Sequence, residues 1–363
     1  MIAPLNWGLG HATRCIPIIH ALLKEGFNPI IASDGAALFL LQKEFPQLDY
    51  YELPTYDIEY AKKGQLFKLK MVWDSPKILK PTRREKKVID QLVNSLDLRG
   101  IISDNRLGAY SKKVPSVFIT HQLNVLAGNT TWMASRMHQR IIRKIDTCWV
   151  PDFPGQNNLS GRLGHLKNNS MPVCYLGPLS SRKKLSGPIL YDLMILLSGP
   201  EPQRTLLEQH LISELKSFCG KALFVKGKMG LEQIRYREVD DQKDITYANY
   251  MTTHELEAGI NASRMVLSRS GYTTIMDLAK LEKKAFFIPT PGQYEQEYLA
   301  KRLMKLGMVP CCEQNKFTLK DLIQVKGYAG LKSSDSEVDW TGLFSVFSRV
   351  KENSEPTSDT LST

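Results

Sequence analysis

Short apolar runs alternate along most of this chain with longer stretches in which apolar residues recur every three or four positions. In the first half the runs Ile2–Leu5, Pro29–Ser33, Asp49–Leu53, Gly100–Ser103, Val114–Thr120 and Thr147–Val150 predict strands. The helical period predicts helices over Ala12–Lys24, Ala36–Glu44, Gln65–Leu96 (broken at Pro76 and Pro81) and Thr130–Ile145. A second series follows, with strands at Leu190–Leu197, Lys221–Lys226, Met265–Leu267 and Ala285–Ile288, and a further one at Met308–Cys312. Its helices are Arg204–Phe218, Glu255–Ala262, Tyr272–Lys280 and Glu295–Lys305, and an amphipathic segment, Trp340–Arg349, closes the pattern.

Strands and helices in this order form parallel sheets covered on both faces. At 363 residues the chain exceeds one ordinary α/β core. The expectation is two doubly wound, Rossmann-like parallel-sheet domains facing across a cleft, with ligands at the carboxyl ends of the strands. Residues 1–178 make the first domain, 179–189 a Pro/Ser/Gly and basic linker, 190–350 the second domain, and 351–363 a polar, disordered tail. The first strand reaches its glycine turn within five residues, which points to strand residues missing upstream.

Charge divides the two halves. Residues 1–185 carry 26 Lys and Arg against 14 Asp and Glu, whereas residues 186–363 carry 22 against 23. Ten basic residues lie between positions 60 and 90, interleaved with Phe67, Trp73 and Leu79, and Arg136, Arg140, Arg143 and Lys144 form a second basic helix face. Basic amphipathic stretches of this kind fit an anionic membrane surface or lipid head groups, and equally a solvated helix face. Nucleic acid is disfavoured, because no recognition motif accompanies the charge. There is no apolar run of membrane-spanning length and no secretory signal pattern. Six scattered cysteines show no metal-ligand spacing and read as free thiols of a reducing cytoplasm.

Chemistry concentrates at the strand-to-helix turns. Ser268-Arg269-Ser270-Gly271 joins a strand to a helix start, where unpaired N–H groups and the dipole favour an anion. Asp277 lies about one turn further on and suits a pair of sugar hydroxyls, and Pro289–Tyr298 adds a polar Gln/Glu loop; together they describe a nucleotide-sugar pocket. Ser198-Gly199 begins a turn reaching Arg204 that offers backbone donors and a guanidinium to a diphosphate, although Pro200 and Pro202 remove two N–H groups. Tyr250 and Met251 sit in a loop where they pack either a base or the loop itself. In the first half, Gly8 and Gly10 permit a tight turn that presents His11 at a helix start. Asp104, at the end of another strand, is placed to orient His11 and stabilise its imidazolium, or else to cap a turn. His121 and Asn124 follow the next strand and point at the cleft mouth.

These residues resemble the family 28 glycosyltransferases, including their UDP-N-acetylglucosamine:lipopolysaccharide transferase-like branch. The match is strongest over residues 245–305. The resemblance implies a GT-B fold and ribose binding by Asp277, where the family has Glu. It implies donor-sugar contacts from Gln296 and Glu297, the second replacing a Gln, and uracil packing against Tyr250 and Met251. It assigns the Gly8–His11 turn and His121–Asn124 to the acceptor side. The chain departs from the family at Ser198–Gln203, with its two prolines, and at Asp104-Asn105-Arg106, where the family is Gly-rich. The His11–Asp104 pair is similar to the dyad of family 1 glycosyltransferases.

The expected function is therefore inverting transfer of a sugar, N-acetylglucosamine for preference, from a UDP-sugar to an anionic lipid or glycolipid acceptor. His11 and Asp104 are the expected catalytic pair, with no cofactor and no metal, since the chain contains no D-x-D. The enzyme is expected in the cytoplasm, peripheral at the inner face of the plasma membrane. Two rivals stand beside it: a UDP-sugar hydrolase or 2-epimerase on the same fold, and a non-catalytic nucleotide-sugar or lipid-binding protein.

Overall fold

The computed structural model of the protein describes residues 1–7, 9–56, 75–126, 128, 131–166, 171–228, 233–333 and 338–348, with only the backbone of 75–79. Gly8, most of the basic stretch before residue 75 and the tail 351–363 lie outside the described residues.

The first series builds a seven-stranded sheet from β1 (Ile2–Pro4), β2 (Ile31–Ser33), β3 (Tyr50–Glu52), β4 (Ile101–Asp104), β5 (Ser116–Ile119), β6 (Thr147–Val150) and β7 (Val173–Tyr175). The strands pair in parallel in the order β3-β2-β1-β4-β5-β6-β7. Its helices are α1 (Gly10–Lys24), α2 (Gly35–Glu44), α3 (Ser75–Ser95) and α4 (Thr131–Ile142). The helix expected to break at Pro76 and Pro81 is continuous from Ser75. Pro76 falls in its first turn, where N–H groups have no intrahelical partner anyway, and Pro81 lies inside it.

The second series builds a six-stranded sheet in the order β10-β11-β9-β8-β12-β13. Its strands are β8 (Tyr191–Leu196), β9 (Gly220–Val225), β10 (Arg235–Val239), β11 (Lys243–Ala248), β12 (Ser263–Ser268) and β13 (Lys284–Phe287). Helices α5 (Gln203–Glu214), α6 (Thr253–Asn261), α7 (Tyr272–Lys280) and α8 (Tyr294–Lys305) accompany it. β10 runs antiparallel to β11 as an edge hairpin that the charge-rich sequence conceals. Met308–Cys312 contributes only an isolated bridge from Cys311 to Phe287, not a strand.

Both sheets reverse direction about their first strand: β1 lies between β2 and β4, and β8 between β9 and β12. A crevice opens at the carboxyl ends at each such switch point. In the first sheet it receives the turn after β1 and Asp104 at the end of β4; in the second it receives Ser198-Gly199 and Ser268–Gly271. After α8 the chain returns to the first sheet through α9 (Trp340–Phe344) and a 3-10 turn, Ser345–Ser348. There Phe344 and Phe347 pack on Phe27 and Trp149. A Cβ on Gly100 would stand 2.2 Å from the Phe347 ring, so that ring needs a glycine beneath it.

Candidate active site

His11 is the second residue of α1, and Asp104 ends the neighbouring strand β4. The His11 Nδ1 stands 2.9 Å from Asp104 Oδ1, the pairing expected from sequence across 93 positions. Asp104 is fully buried, whereas His11 keeps a little solvent exposure. Burial alone would push the Asp104 carboxyl up. Arg14 first, and His11 after it, override this and hold the carboxyl at about 2. Asp104 is therefore an anion that can only accept, so the proton on His11 sits at Nδ1 and Nε2 is left as a base.

Two partners in this cluster were missed in the sequence. Arg14 lies one turn after His11 and is 2 % exposed. It donates from Nε to Asp104 Oδ2 at 2.8 Å and from Nη2 to Oδ1. The same guanidinium approaches His11 Nδ1 at 2.8 Å and His121 Nδ1 at 3.4 Å. Glu295, in the first turn of α8, reaches across from the second sheet to His121 Nε2 at 2.8 Å and accepts from Gln122. Burial would raise the Glu295 carboxyl, but His121 first, then His11 and Arg14, bring it below its ordinary value. A lone Arg within the apolar face of an amphipathic helix was the available signal for Arg14. An acid in a helix's first turn looks like an ordinary dipole partner, and it concealed Glu295.

The donor-side turn abuts this cluster. Tyr272, the first residue of α7, stacks on His121 with centroids 4.3 Å apart and donates its hydroxyl to Pro151 O at 2.8 Å. A Cβ on Gly10 would lie 2.7 Å from Thr273 Oγ1, so glycine is what lets α7 approach the His11 turn. No side chain caps α7, whose N-cap is Gly271, and Ser270 is tied to Gln296 O at 2.8 Å. Gln296 accepts from Thr290 N and Glu297 from Gly292 N, both at 2.9 Å, which closes the loop after β13. Gly199, at φ 106°, faces that loop, its would-be Cβ 3.5 Å from Thr290 Oγ1.

Other residues expected at the donor site make contacts within the protein. Arg204 is buried and donates to Glu201, Glu208, Thr205 and Lys226 O, because carboxylates at i−3 and i+4 bracket it; it does not extend toward a diphosphate. Arg269 donates to Ile288 O, Pro289 O, Gln203 O and Gln314, bracing the turn from inside, and burial lowers it to about 10. Asp277 faces the linker, accepting from Ser180 Oγ at 2.6 Å and Arg182 Nε at 2.8 Å. Tyr250 accepts from Gln233 through its carbonyl, and Met251 packs on the core. On the acceptor side, Asn124 donates to Arg162 O and accepts from Gln139, so its amide holds a loop. Among the described residues no group of three His, Cys, Asp or Glu side chains could hold a metal ion. No helix among them is long and apolar enough to cross a membrane.

Two doubly wound sheets with their switch points turned to one another define a GT-B architecture. Solved structures agree: the chain superposes on rhamnosyltransferase SpnG with a TM-score of 0.61 at 11% identity, covering 96% of this chain and 94% of that one. It superposes on Acinetobacter baumannii MurG with a TM-score of 0.55 at 15% identity, covering 90% and 88%. Residues 202–333 match the Glycosyltransferase family 28 C-terminal domain. Among curated proteins, the UDP-N-acetylglucosamine–N-acetylmuramyl-(pentapeptide) pyrophosphoryl-undecaprenol N-acetylglucosamine transferase of Haemophilus ducreyi is 23% identical over 57% of this chain. The enzyme of the same name from Clostridium tetani is 23% identical over 88% of this chain and 86% of its own length. The match spans little more than half the length of the first two such relatives, 56% and 58%.

Proposed function

We propose that this protein is an inverting UDP-sugar glycosyltransferase, with N-acetylglucosamine as the sugar and a membrane-associated lipid or glycolipid as the acceptor. The observation that carries the reading is the His11–Asp104 pair standing against the uncapped start of α7 in a family 28 donor domain. In the reaction, an acceptor hydroxyl attacks the anomeric carbon and its proton passes to His11 Nε2, while Asp104 stabilises the imidazolium. The anomeric C–O bond to the diphosphate breaks, and UDP leaves with its negative charge against the N–H groups of α7. A helix start that stabilises the leaving group in this way supports transfer without a divalent ion. Asp277 would take the ribose hydroxyls, each of its oxygens keeping acceptor capacity beside Ser180 and Arg182.

The acceptor side supports a lipid surface. On α4, Trp132 is 72% exposed, with Met133 and Met137 beside it and Arg136 and Arg140 on the same face. Lys80, Arg83, Arg84 and Lys87 are exposed on α3. Exposed apolar anchors ringed by cations fit an anionic leaflet, each cation adding roughly 1 kcal/mol near the surface. We place the enzyme in the cytoplasm, at the inner face of the plasma membrane.

The test is incubation with UDP-N-acetylglucosamine, with and without membrane lipid extract, following free UDP and labelled lipid. Transfer should require the extract and disappear in His11→Ala while UDP binding persists. UDP release without acceptor would instead indicate a hydrolase or epimerase, and binding without turnover a non-catalytic role.

A further inference from the structure

Arg14 has no part in the chemistry above, and its placement is costly. A guanidinium with almost no solvent exposure must be paired and hydrogen-bonded to persist. Its donors converge on functional groups: both oxygens of Asp104, with the rings of His11 and His121 on either side. A fork that grips both carboxylate oxygens fixes the plane of the carboxylate, which a single point charge does not. We infer that Arg14 is a positioning residue, which locks the Asp104 carboxylate so that the His11 proton is held on Nδ1 and Nε2 is turned out to act as base. This rests on the transferase reading for the identity of the base.

The geometry accounts for each part of the inference. With the proton of Nδ1 directed at Asp104, Arg14 and Nδ1 are both donors, so their 2.8 Å approach is not a hydrogen bond. It is a fixed positive charge held beside the ring by the carboxylate that both groups share. The carboxylate must then offset the cation when His11 accepts its proton, and its rigid two-point hold makes that compensation specific to one geometry. The ionisable groups facing this assembly are His11 and Cys15 on α1, His121 after β5, Tyr272 on α7 and Glu295 on α8. Arg14 is the fixed cation at their centre, and its charge favours the ionised Asp104.

The experiment compares wild type with Arg14→Lys, which keeps the charge but not the fork, and Arg14→Met, which keeps only the bulk. Three readouts are taken: kcat and KM for UDP-N-acetylglucosamine across pH, UDP binding, and the ring-nitrogen shifts of His11 by 15N NMR, assigned against His11→Ala. Wild-type His11 should show the Nδ1–H neutral form. Arg14→Met should lower kcat roughly 10- to 100-fold with KM for the donor and UDP binding unchanged. Its acidic limb should move to higher pH, because Asp104 is then buried without its cation, and its His11 signals should leave the single-tautomer position. Arg14→Lys should fall between the two. Wild-type kcat, pH profile and His11 signals in either folded variant would overturn the inference. So would an Nε2–H tautomer in the wild type, a reading that needs no variant to fold. If the protein shows no turnover on UDP-sugars yet the tautomer responds to Arg14, the transferase reading fails and the positioning role stands.

Discussion

Replacing Asp104 with Asn removes one negative charge from a fully buried site while leaving the shape of the side chain almost unchanged. The folded protein holds this carboxyl at about 2, against an ordinary value of 3.8. That difference corresponds to roughly 2–3 kcal/mol of stability. Since the folded value lies below the unfolded one, the contribution is complete above about pH 4 and is lost as the pH falls through about 2. A second route gives a similar figure: stripping one partner from a buried ion pair costs about 3–5 kcal/mol, because Arg14 is left uncompensated. At roughly 2–4 °C per kcal/mol, Asp104→Asn should unfold some 5–15 °C below wild type at pH 7. The two proteins should converge as the pH approaches 2. An amide also offers one acceptor oxygen where the carboxylate offered two, so Arg14 and His11 compete for it and the His11 proton is no longer pinned to Nδ1. Turnover of UDP-N-acetylglucosamine should fall by about 10²–10⁴ while UDP binding, measured by calorimetry, is retained. A variant that melts with wild type at pH 7, or that keeps wild-type kcat, would refute the dyad as drawn.

Under the proposed ribose contact, Asp277→Ala should raise KM for the UDP-sugar about tenfold or more, and wild type should prefer a ribose over a 2′-deoxyribose donor where the variant does not; a preference that survives in the variant would assign Asp277 to the linker alone. Trp132→Ala combined with Arg136→Ala and Arg140→Ala should reduce sedimentation with vesicles rich in anionic lipid while leaving UDP binding intact, and equal binding by the triple variant would exclude α4 as the contact. A thiol-specific reagent should modify Cys219, which is exposed, promptly in the native protein. Cys15 and Cys148 should react only on unfolding, since burial raises both thiols and shields them; rapid native labelling of either would contradict the packing of α1 or β6.

The fold was legible because a parallel sheet buries both faces, and its strands stand out as apolar runs between amphipathic helices. The edge strand β10 escaped because an edge strand has little burial to encode: it is exposed along its whole length and its charges resemble a loop. Pairing His11 with Asp104 was readable despite a separation of 93 positions, since both lie at the ends of strands of one parallel sheet whose carboxyl ends share one face. What remained hidden was the partner of each cation. Arg204 and Arg269 are well placed by position alone, but neighbouring carboxylates around Arg204, and carbonyls and an amide from distant loops around Arg269, decide where their donors point. Arg14 shows the converse, an arginine whose partners make it part of the candidate site although no motif announces it.

The return of residues 340–348 to the first sheet makes the two halves poor candidates for separate expression. Severing the chain at the linker would leave a hollow beside Phe27, Trp149 and Gly100, and would carry Phe344 and Phe347 into water on the other fragment. At roughly 1.5–3 kcal/mol for each buried Phe side chain, the two rings together represent about 3–6 kcal/mol. That is comparable with the whole margin by which a typical domain stays folded. An isolated first half would therefore be rescued by a short peptide spanning 338–348, which makes the segment a detachable keystone as well as a tether.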